Sequence, residues 1–470
     1  MSRRELLDRA ADLANGYLDR AADRHVGATL TSAELRAQLG GPLGTAGTPP
    51  ADVIDALAAA ADRGTVASQG PRYFGFVVGG SLPVATAADW LVSAWDQNCG
   101  IYVLSPLVAV VEEIASGWLR EIVGVPDETS IGFVTGCQMA NFTAIAAARH
   151  HVLAAAGWDV EARGLVGAPE IDVIVSDESH YTIFMALRLL GLGAARVTRV
   201  ATDNQGRMRA SELARALAGR TGPCIVCAQA GNVNTGAFDP VREILPLVRA
   251  RGAWLHVDGA FGLWASASPS RRALVDGINE ADSIAADAHK WLNVPYDSGL
   301  VFCRHPGAHR AAMSLTAAYI VEDAVERDPH AYVPEESRRG RAVPVYAALR
   351  TLGRDGLRDL VDRCCDLSTR MADRLGAHPL VRRLTDVVLN QSLIRIEADG
   401  HDADVLTRAV IAAVQADGTC WLGGTTWHGM AAIRISMSNW STSEADVDRS
   451  ADAILRAIDK CVHRNGGAGL

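Results

Sequence analysis

The chain has 470 residues, 49% hydrophobic and 21% charged, with a formal net charge of −9. That is an ordinary globular composition, long enough for more than one domain, and its acidic balance leaves no electrostatic footprint for nucleic acid or an anionic membrane. Nine cysteines spread along the chain point to free thiols in a reducing cytoplasm, and no basic n-region with a following apolar stretch argues for secretion.

From residue 5 to about residue 67 the pattern is helical, broken at Gly40-Gly41-Pro42 and Thr48-Pro49-Pro50. Proline suits a first helical turn, where its missing N–H costs nothing. Residues 1–85 hold too little apolar surface for a core and are expected to form a helical arm packed on a partner. Leu107, Val110, Val111, Ile114, Trp118 and Leu119 then recur at helical spacing. From about residue 130, short apolar runs at 132–134, 173–175, 196–198, 225–227, 254–257, 283–286 and 300–302 alternate with helical stretches. Such runs imply an α/β domain over residues 86–345, with a mainly parallel sheet covered by helices on both faces. Cys224 and Cys227 have metal-like spacing, but they fall in one of these strands, where positions three apart face opposite sides; no metal site is expected. Residues 346–470 read as a smaller C-terminal α/β domain. A strand at 432–436 and a capping box at Ser441-Thr442-Ser443-Glu444, opening a last helix to Ile458, belong to it.

Chemistry gathers at the strand ends. Lys290 and Lys460 are the only lysines; the chain otherwise meets its Lys/Arg quota with arginine. A guanidinium stays protonated, whereas a lysine amine can lose its proton and condense with a carbonyl. Lys290, within Asp287-Ala-His289-Lys290-Trp-Leu292, therefore reads as a Schiff-base lysine rather than a chance surface residue. Thr135-Gly136-Cys137-Gln138 follows a strand and opens a helix, whose N–H groups suit a phosphate, although many such turns carry glycine with no ligand. His180, after another strand, can lie against an aromatic ring and exchange protons near neutral pH, or be structural. Asp258 ends a buried strand, where a carboxylate is costly without a cation. A protonated pyridine nitrogen is such a cation, and Gly259-Ala260 leaves room for a flat ring. Jointly these features describe pyridoxal phosphate.

The segments Asp177-Glu-Ser-His180-Tyr181, Gly231-Asn232-Val-Asn-Thr-Gly236, His256-Val-Asp258-Gly-Ala260-Phe-Gly262 and Asp287-Ala-His289-Lys290-Trp-Leu292 carry a family resemblance. Weaker matches lie at Pro71-Arg-Tyr73-Phe74-Gly75 and Ser337-Arg-Arg-Gly-Arg341. The chain resembles the group II pyridoxal-phosphate-dependent amino acid decarboxylases, which include aromatic amino acid and glutamate decarboxylases. The resemblance implies the aspartate-aminotransferase type of PLP-dependent transferase fold, and a homodimer with active sites at the subunit interface. Lys290 would then bind the cofactor, His180 stack on its ring and Asp258 pair with the ring nitrogen. Gly136, Cys137, Gln138 and His289 would lie near the phosphate, with Ala260 beneath the ring. Asn232 stands where members often have threonine, next to the cofactor hydroxyl. The family's loop tyrosine, which protonates the product from the neighbouring subunit, corresponds to Tyr332, with Tyr319 behind it.

The expected reaction is decarboxylation of an L-amino acid to an amine and CO2 by a carbon–carbon lyase. An oxygen-using decarboxylating aldehyde synthase, an aminotransferase and a non-catalytic cofactor-binding protein are the alternatives. Tyr73, Phe74 and Trp95 are candidate substrate contacts favouring an aromatic or large hydrophobic amino acid, or are interface core. The expected partners are that amino acid and a second subunit, with no nucleic acid or membrane, in the cytoplasm.

Overall fold

The central apolar runs become strands because they are short and mostly buried on both faces, so they show little alternation. The structure is a computed structural model that describes residues 1–315 and 326–465. Strands β1 (Ser130–Val134), β2 (Asp172–Ser176), β3 (Thr198–Val200), β4 (Cys224–Gln229), β5 (Trp254–Asp258), β6 (Ser283–Asp287) and β7 (Gly299–Cys303) form one sheet, in the order β1-β7-β6-β5-β4-β2-β3. Every residue of β4, β5 and β6 is buried.

Pairing is parallel from β3 through β6. Strand β7 runs antiparallel to both its neighbours, β6 and β1. The reason is local: residues 288–298 between β6 and β7 contain no helix, and a parallel return needs a long crossover. Strand β3 also starts later than its apolar run, because its register on β2 begins at Ile174↔Thr198. Arg196 is left outside, exposed and paired with Glu170.

The Cys137–Ala155 helix packs against β5, β6 and β7. Its inner face is largely alanine (Ala140, Ala144, Ala147, Ala148), all buried, which lets the helix lie close to the sheet. Two glycines meet at its start. A Cβ on Gly299 would stand 2.5 Å from the backbone of Gly136, so β7 passes the helix N-terminus only because no side chain intervenes.

The chain divides into two compact units: Gly79–Ser368 with Thr385–Ser392, and Met1–Val78 with Thr369–Leu384 and Leu393–Leu470. The first contains the whole seven-stranded sheet. The second contains the N-terminal helices Arg3–Asp19, Ser32–Leu39 and Pro50–Gly64, and most of a four-stranded sheet. That sheet comprises β8 (Val381–Arg383), β9 (Gln391–Ile396), β10 (Gly423–Trp427) and β11 (Met430–Ser436), in the order β10-β11-β9-β8. Residues 1–78 thus share a unit with the C-terminal segment. The Val26 N–H donates to Gly418 O (2.9 Å), the Phe74 N–H donates to Trp421 O (2.8 Å), and the Tyr73 ring stacks on Trp421.

The last helix is Glu444–Asn465, and its capping pair differs from the expected one. Ser443 and Asp446 bond reciprocally, the Ser443 N–H to Asp446 Oδ2 (3.0 Å) and the Asp446 N–H to Ser443 Oγ (3.3 Å). Ser441 instead donates from its N–H and its hydroxyl to Asn439 Oδ1, which removes it from the cap. Among the described residues no helix is long and apolar enough to cross a membrane.

Gly299→Ala is expected to lower unfolding stability by about 1–3 kcal/mol, since the new methyl meets backbone rather than a movable side chain. A urea unfolding midpoint equal to that of the wild type would contradict the close approach.

Candidate active site

In an open α/β sheet, polar groups collect beyond the strand carboxyl ends. Here β5 ends on Asp258 and the adjacent parallel β6 ends on Asp287, which are 4% and 2% exposed. A carboxylate so buried needs donors or cations around it. The two obtain them differently.

Asp258 is surrounded by neutral donors. Oδ1 accepts the Ala260 N–H (3.1 Å) and the Cys137 thiol (3.3 Å), and Oδ2 accepts Asn141 Nδ2–H (3.1 Å). The thiol keeps its proton because burial, and then the Asp258 charge, push its pKa well above the usual range. Asp287, by contrast, holds a cation: Lys290 Nζ lies 2.9 Å from its Oδ2. Burial is the largest single effect and pushes the Lys290 ammonium down, but the surrounding negative groups, Asp287 first among them, together raise its pKa. The lysine side chain is 21% exposed.

The other oxygen of Asp287 ties two more elements to the same point. Oδ1 accepts the Cys137 N–H at 2.5 Å, at the first residue of the Cys137–Ala155 helix. The N-cap residue, Gly136, has no side chain to cap with, so a carboxylate from β6 does so and meets the positive end of the helix dipole. A Cβ at Gly136 would approach His289 Cε1 to 3.1 Å. His289 Nε2 lies 3.3 Å from Asp287 Oδ1, while Nδ1 accepts the Ser298 N–H at 3.1 Å. Burial lowers the His289 pKa, so the neutral ring carries its proton on Nε2, towards Asp287. The Tyr296 ring stacks on it at 4.2 Å.

His180 occupies the N-cap position of the Tyr181–Leu189 helix, and its Nδ1 lies 2.8 Å from Thr182 Oγ1. Thr182 Oγ1 in turn accepts from Asn141 Nδ2 (3.3 Å), so His180 and Asp258 belong to one network. Asn232 is fully buried after β4. Its Oδ1 accepts the N–H groups of Asn234 (2.8 Å) and Thr235 (3.2 Å), and its Nδ2 has no partner among the described residues.

The fold therefore brings together Lys290, His289, Gly136, Cys137, Asp258, Ala260 and, through Thr182 and Asn141, His180. Gln138 is exposed on the first turn of its helix. Tyr332 is placed elsewhere: its ring meets His309 edge-on at 5.3 Å and lies 4.4 Å beneath the Arg327 guanidinium. Tyr319 lies outside the described residues. Tyr73 and Phe74 are buried in the unit that contains the N-terminal helices, and Trp95 is 40% exposed at the end of the Pro83–Trp95 helix. Arg338, from a weaker motif match, pairs with Arg327 on the fully buried Glu112. Asp287 and Asn141 are site residues to which sequence reasoning assigned no part. The strand-end argument used for Asp258 applies equally to Asp287, and Asn141 is a buried polar residue in an otherwise apolar helix face.

The profile described as "Pyridoxal-dependent decarboxylase conserved domain" matches residues 50–387. The chain belongs to the pyridoxal-phosphate-dependent decarboxylase family. Relatives include an aromatic-L-amino-acid decarboxylase of Bacillus atrophaeus, 28% identical over 79% of this chain and 77% of that protein. Another is an L-2,4-diaminobutyrate decarboxylase of Rhizobium meliloti, 30% identical over 79% of this chain and 74% of that protein. A crystal structure of Oryza sativa TDC with PLP and tryptamine matches at a TM-score of 0.91 and 22% identity, over 97% of each chain, which establishes the shared fold. This member is accordingly a carbon–carbon lyase that uses pyridoxal phosphate to decarboxylate an amino acid.

With only two lysines, amine reactivity can be read residue by residue. In mildly alkaline buffer, reductive methylation followed by peptide mass spectrometry is expected to modify Lys460 ahead of Lys290 in the apoprotein. Asp287→Asn should narrow that gap, because losing the ion pair lets Lys290 give up its proton at lower pH. An unchanged ratio would show that Asp287 does not control this amine.

Proposed function

We propose that Lys290 is the Schiff-base lysine of this decarboxylase, and that the substrate is an L-amino acid with an aromatic or large hydrophobic side chain, released as amine and CO2. The observation that carries the reading is the contrast at adjacent strand ends. Asp287 already holds the cation of Lys290, while the partners of Asp258 are neutral donors. Asp258 is thus suited to a protonated ring nitrogen, and the unpartnered Nδ2 of Asn232 to a cofactor oxygen. When bound, pyridoxal phosphate supplies an electron sink for the bond being broken.

Around it, this chain's residues position and protonate. Gly136, Cys137, Gln138 and His289, at and beside a helix start, are the proposed phosphate contacts. Ala260, small and half-buried, is proposed to lie beneath the ring. Asp258 keeps the ring nitrogen charged, which stabilises the electron density left as CO2 departs. His180 stacks on the ring and returns a proton to the substrate carbon, as an imidazole can. Tyr332 remains the proposed proton donor to a neighbouring subunit's site. The side-chain preference rests on Tyr73, Phe74 and Trp95 as pocket residues and on the name of the Bacillus atrophaeus relative.

A homodimer is part of the same reading. The Pro83–Trp95 and Pro106–Val123 helices contribute Ala88, Val92 and Val108 to one buried apolar cluster. Their outer faces leave Trp90, Leu91, Leu107, Val110 and Ile114 at least 40% exposed, an apolar surface suited to a second copy of the chain.

Lys290→Ala is expected to abolish both the visible imine absorbance and CO2 release from every amino acid in a panel; retained turnover would defeat the assignment. In the wild type, release should be fastest with aromatic substrates and proceed without hydrogen peroxide. Stoichiometric peroxide would reassign the outcome to aldehyde formation. The double variant Leu107→Glu/Ile114→Glu is expected to sediment as a single chain and to lose activity. A dimer of unchanged affinity would move the interface elsewhere.

A further inference from the structure

Behind Asp258 runs a chain of buried hydrogen bonds that leads away from the reaction. Trp254 Nε1 donates to Ser283 Oγ (2.8 Å), and Ser283 Oγ is 2.9 Å from His256 Nδ1. His256 Nε2 is 2.9 Å from Asn141 Oδ1. Asn141 Nδ2 reaches both Asp258 Oδ2 and Thr182 Oγ1, and Thr182 Oγ1 reaches His180 Nδ1. Trp254, Asn141, His256 and Ser283 are each at most 2% exposed, so water does not complete these bonds.

The direction of the links is fixed at Asn141, whose Nδ2 donates to Asp258 and Thr182 and whose Oδ1 can only accept, which calls for an N–H on His256 Nε2. Ser283 Oγ accepts the indole N–H, and its own proton is then available to His256 Nδ1. Burial lowers the His256 pKa to about 4, so the ring is neutral and its one N–H is on Nε2, pointing at Asn141 Oδ1. The Asn141 amide is thereby oriented with both Nδ2 protons towards Asp258 and Thr182. Thr182, having accepted from Asn141, keeps a proton that it can donate to His180 Nδ1. In that arrangement the His180 N–H is on Nε2.

We propose that Asn141 is a positioning residue that sets, through one hydrogen-bond chain, both the orientation of the Asp258 carboxylate and the ring tautomer of His180. Its role presupposes the cofactor assignment above, because these are the two groups assigned to the ring nitrogen and the ring face. A donor is required at Asn141 Nδ2. An acceptor of the same shape would confront the Asp258 carboxylate and reverse the polarity at Thr182. The titratable groups around this point are Cys137 and His180 from the two helices, Cys227 and His256 from β4 and β5, and Asp287 and Lys290 at the end of β6.

Asn141→Asp tests this, read by the dissociation constant of pyridoxal 5′-phosphate from tryptophan fluorescence. Two carboxylates at one site share a proton at acid pH, and that single proton can replace the donation Asn141 makes to Asp258, though not the second one to Thr182. The constant is therefore expected to be about 10-fold or more above wild type at about pH 8, and to return towards wild type at about pH 6. Weakening that is equal at both pH values, or no weakening, overturns the relay. Wild-type protein that fails to bind the cofactor overturns the cofactor reading instead. Should Asn141→Asp not fold, Thr182→Val deletes only the hydroxyl between Asn141 and His180. It is expected to raise the same constant about 3-fold with apoprotein melting unchanged, and an unaltered constant again overturns the proposal.

Discussion

Two carboxylates buried side by side, at the ends of β5 and β6, set the conditions that the surrounding structure satisfies. Neither oxygen pair can be left to water, so each must be met by donors the fold brings in. For Asp287 these are the first N–H of a helix, the Lys290 ammonium and a neutral histidine. Meeting them requires the helix start, β7 and the Lys290 loop to converge within bonding distance, and glycine at 136 and 299 is what permits it. A single aspartate thus holds the Lys290 amine and fixes the helix N-terminus.

Burial also decides which neighbouring groups carry charge. His256 and His289 are held neutral and the Cys137 thiol protonated, all chiefly by desolvation. The charges at the site are thereby limited to a few, each with a distinct partner set. Two aspartates of the same type at equivalent strand ends acquire different chemistry, one holding a cation and one surrounded by neutral donors. This is an effect of environment rather than residue identity.

The strands were legible because continuous apolar runs between polar boundaries have few other solutions, and Lys290, Asp258 and His180 stood out as polar groups at the ends of those runs. The direction of β7 was less legible, since an apolar run reads the same both ways and only its helix-free connection sets its sense. The cap of the last helix shifted by two residues because Asn439 competes for Ser441, a contact with no sequence periodicity. Asn141 passed unnoticed within a helix for a related reason. Its partners, Thr182, His256 and Asp258, are 41, 115 and 117 residues away.

By itself the sequence determined the fold class and the cofactor, because local patterns and short motifs carry those through residue type and order. Only the tertiary structure decided that Asp287 is the partner of Lys290, that Tyr332 packs against His309 and Arg327, and that Asn141 links His180 to Asp258. Hydrogen bonds and ion pairs act over about 3 Å. Which groups come that close is set by how the strands and helices stack, and separation along the chain carries no record of it.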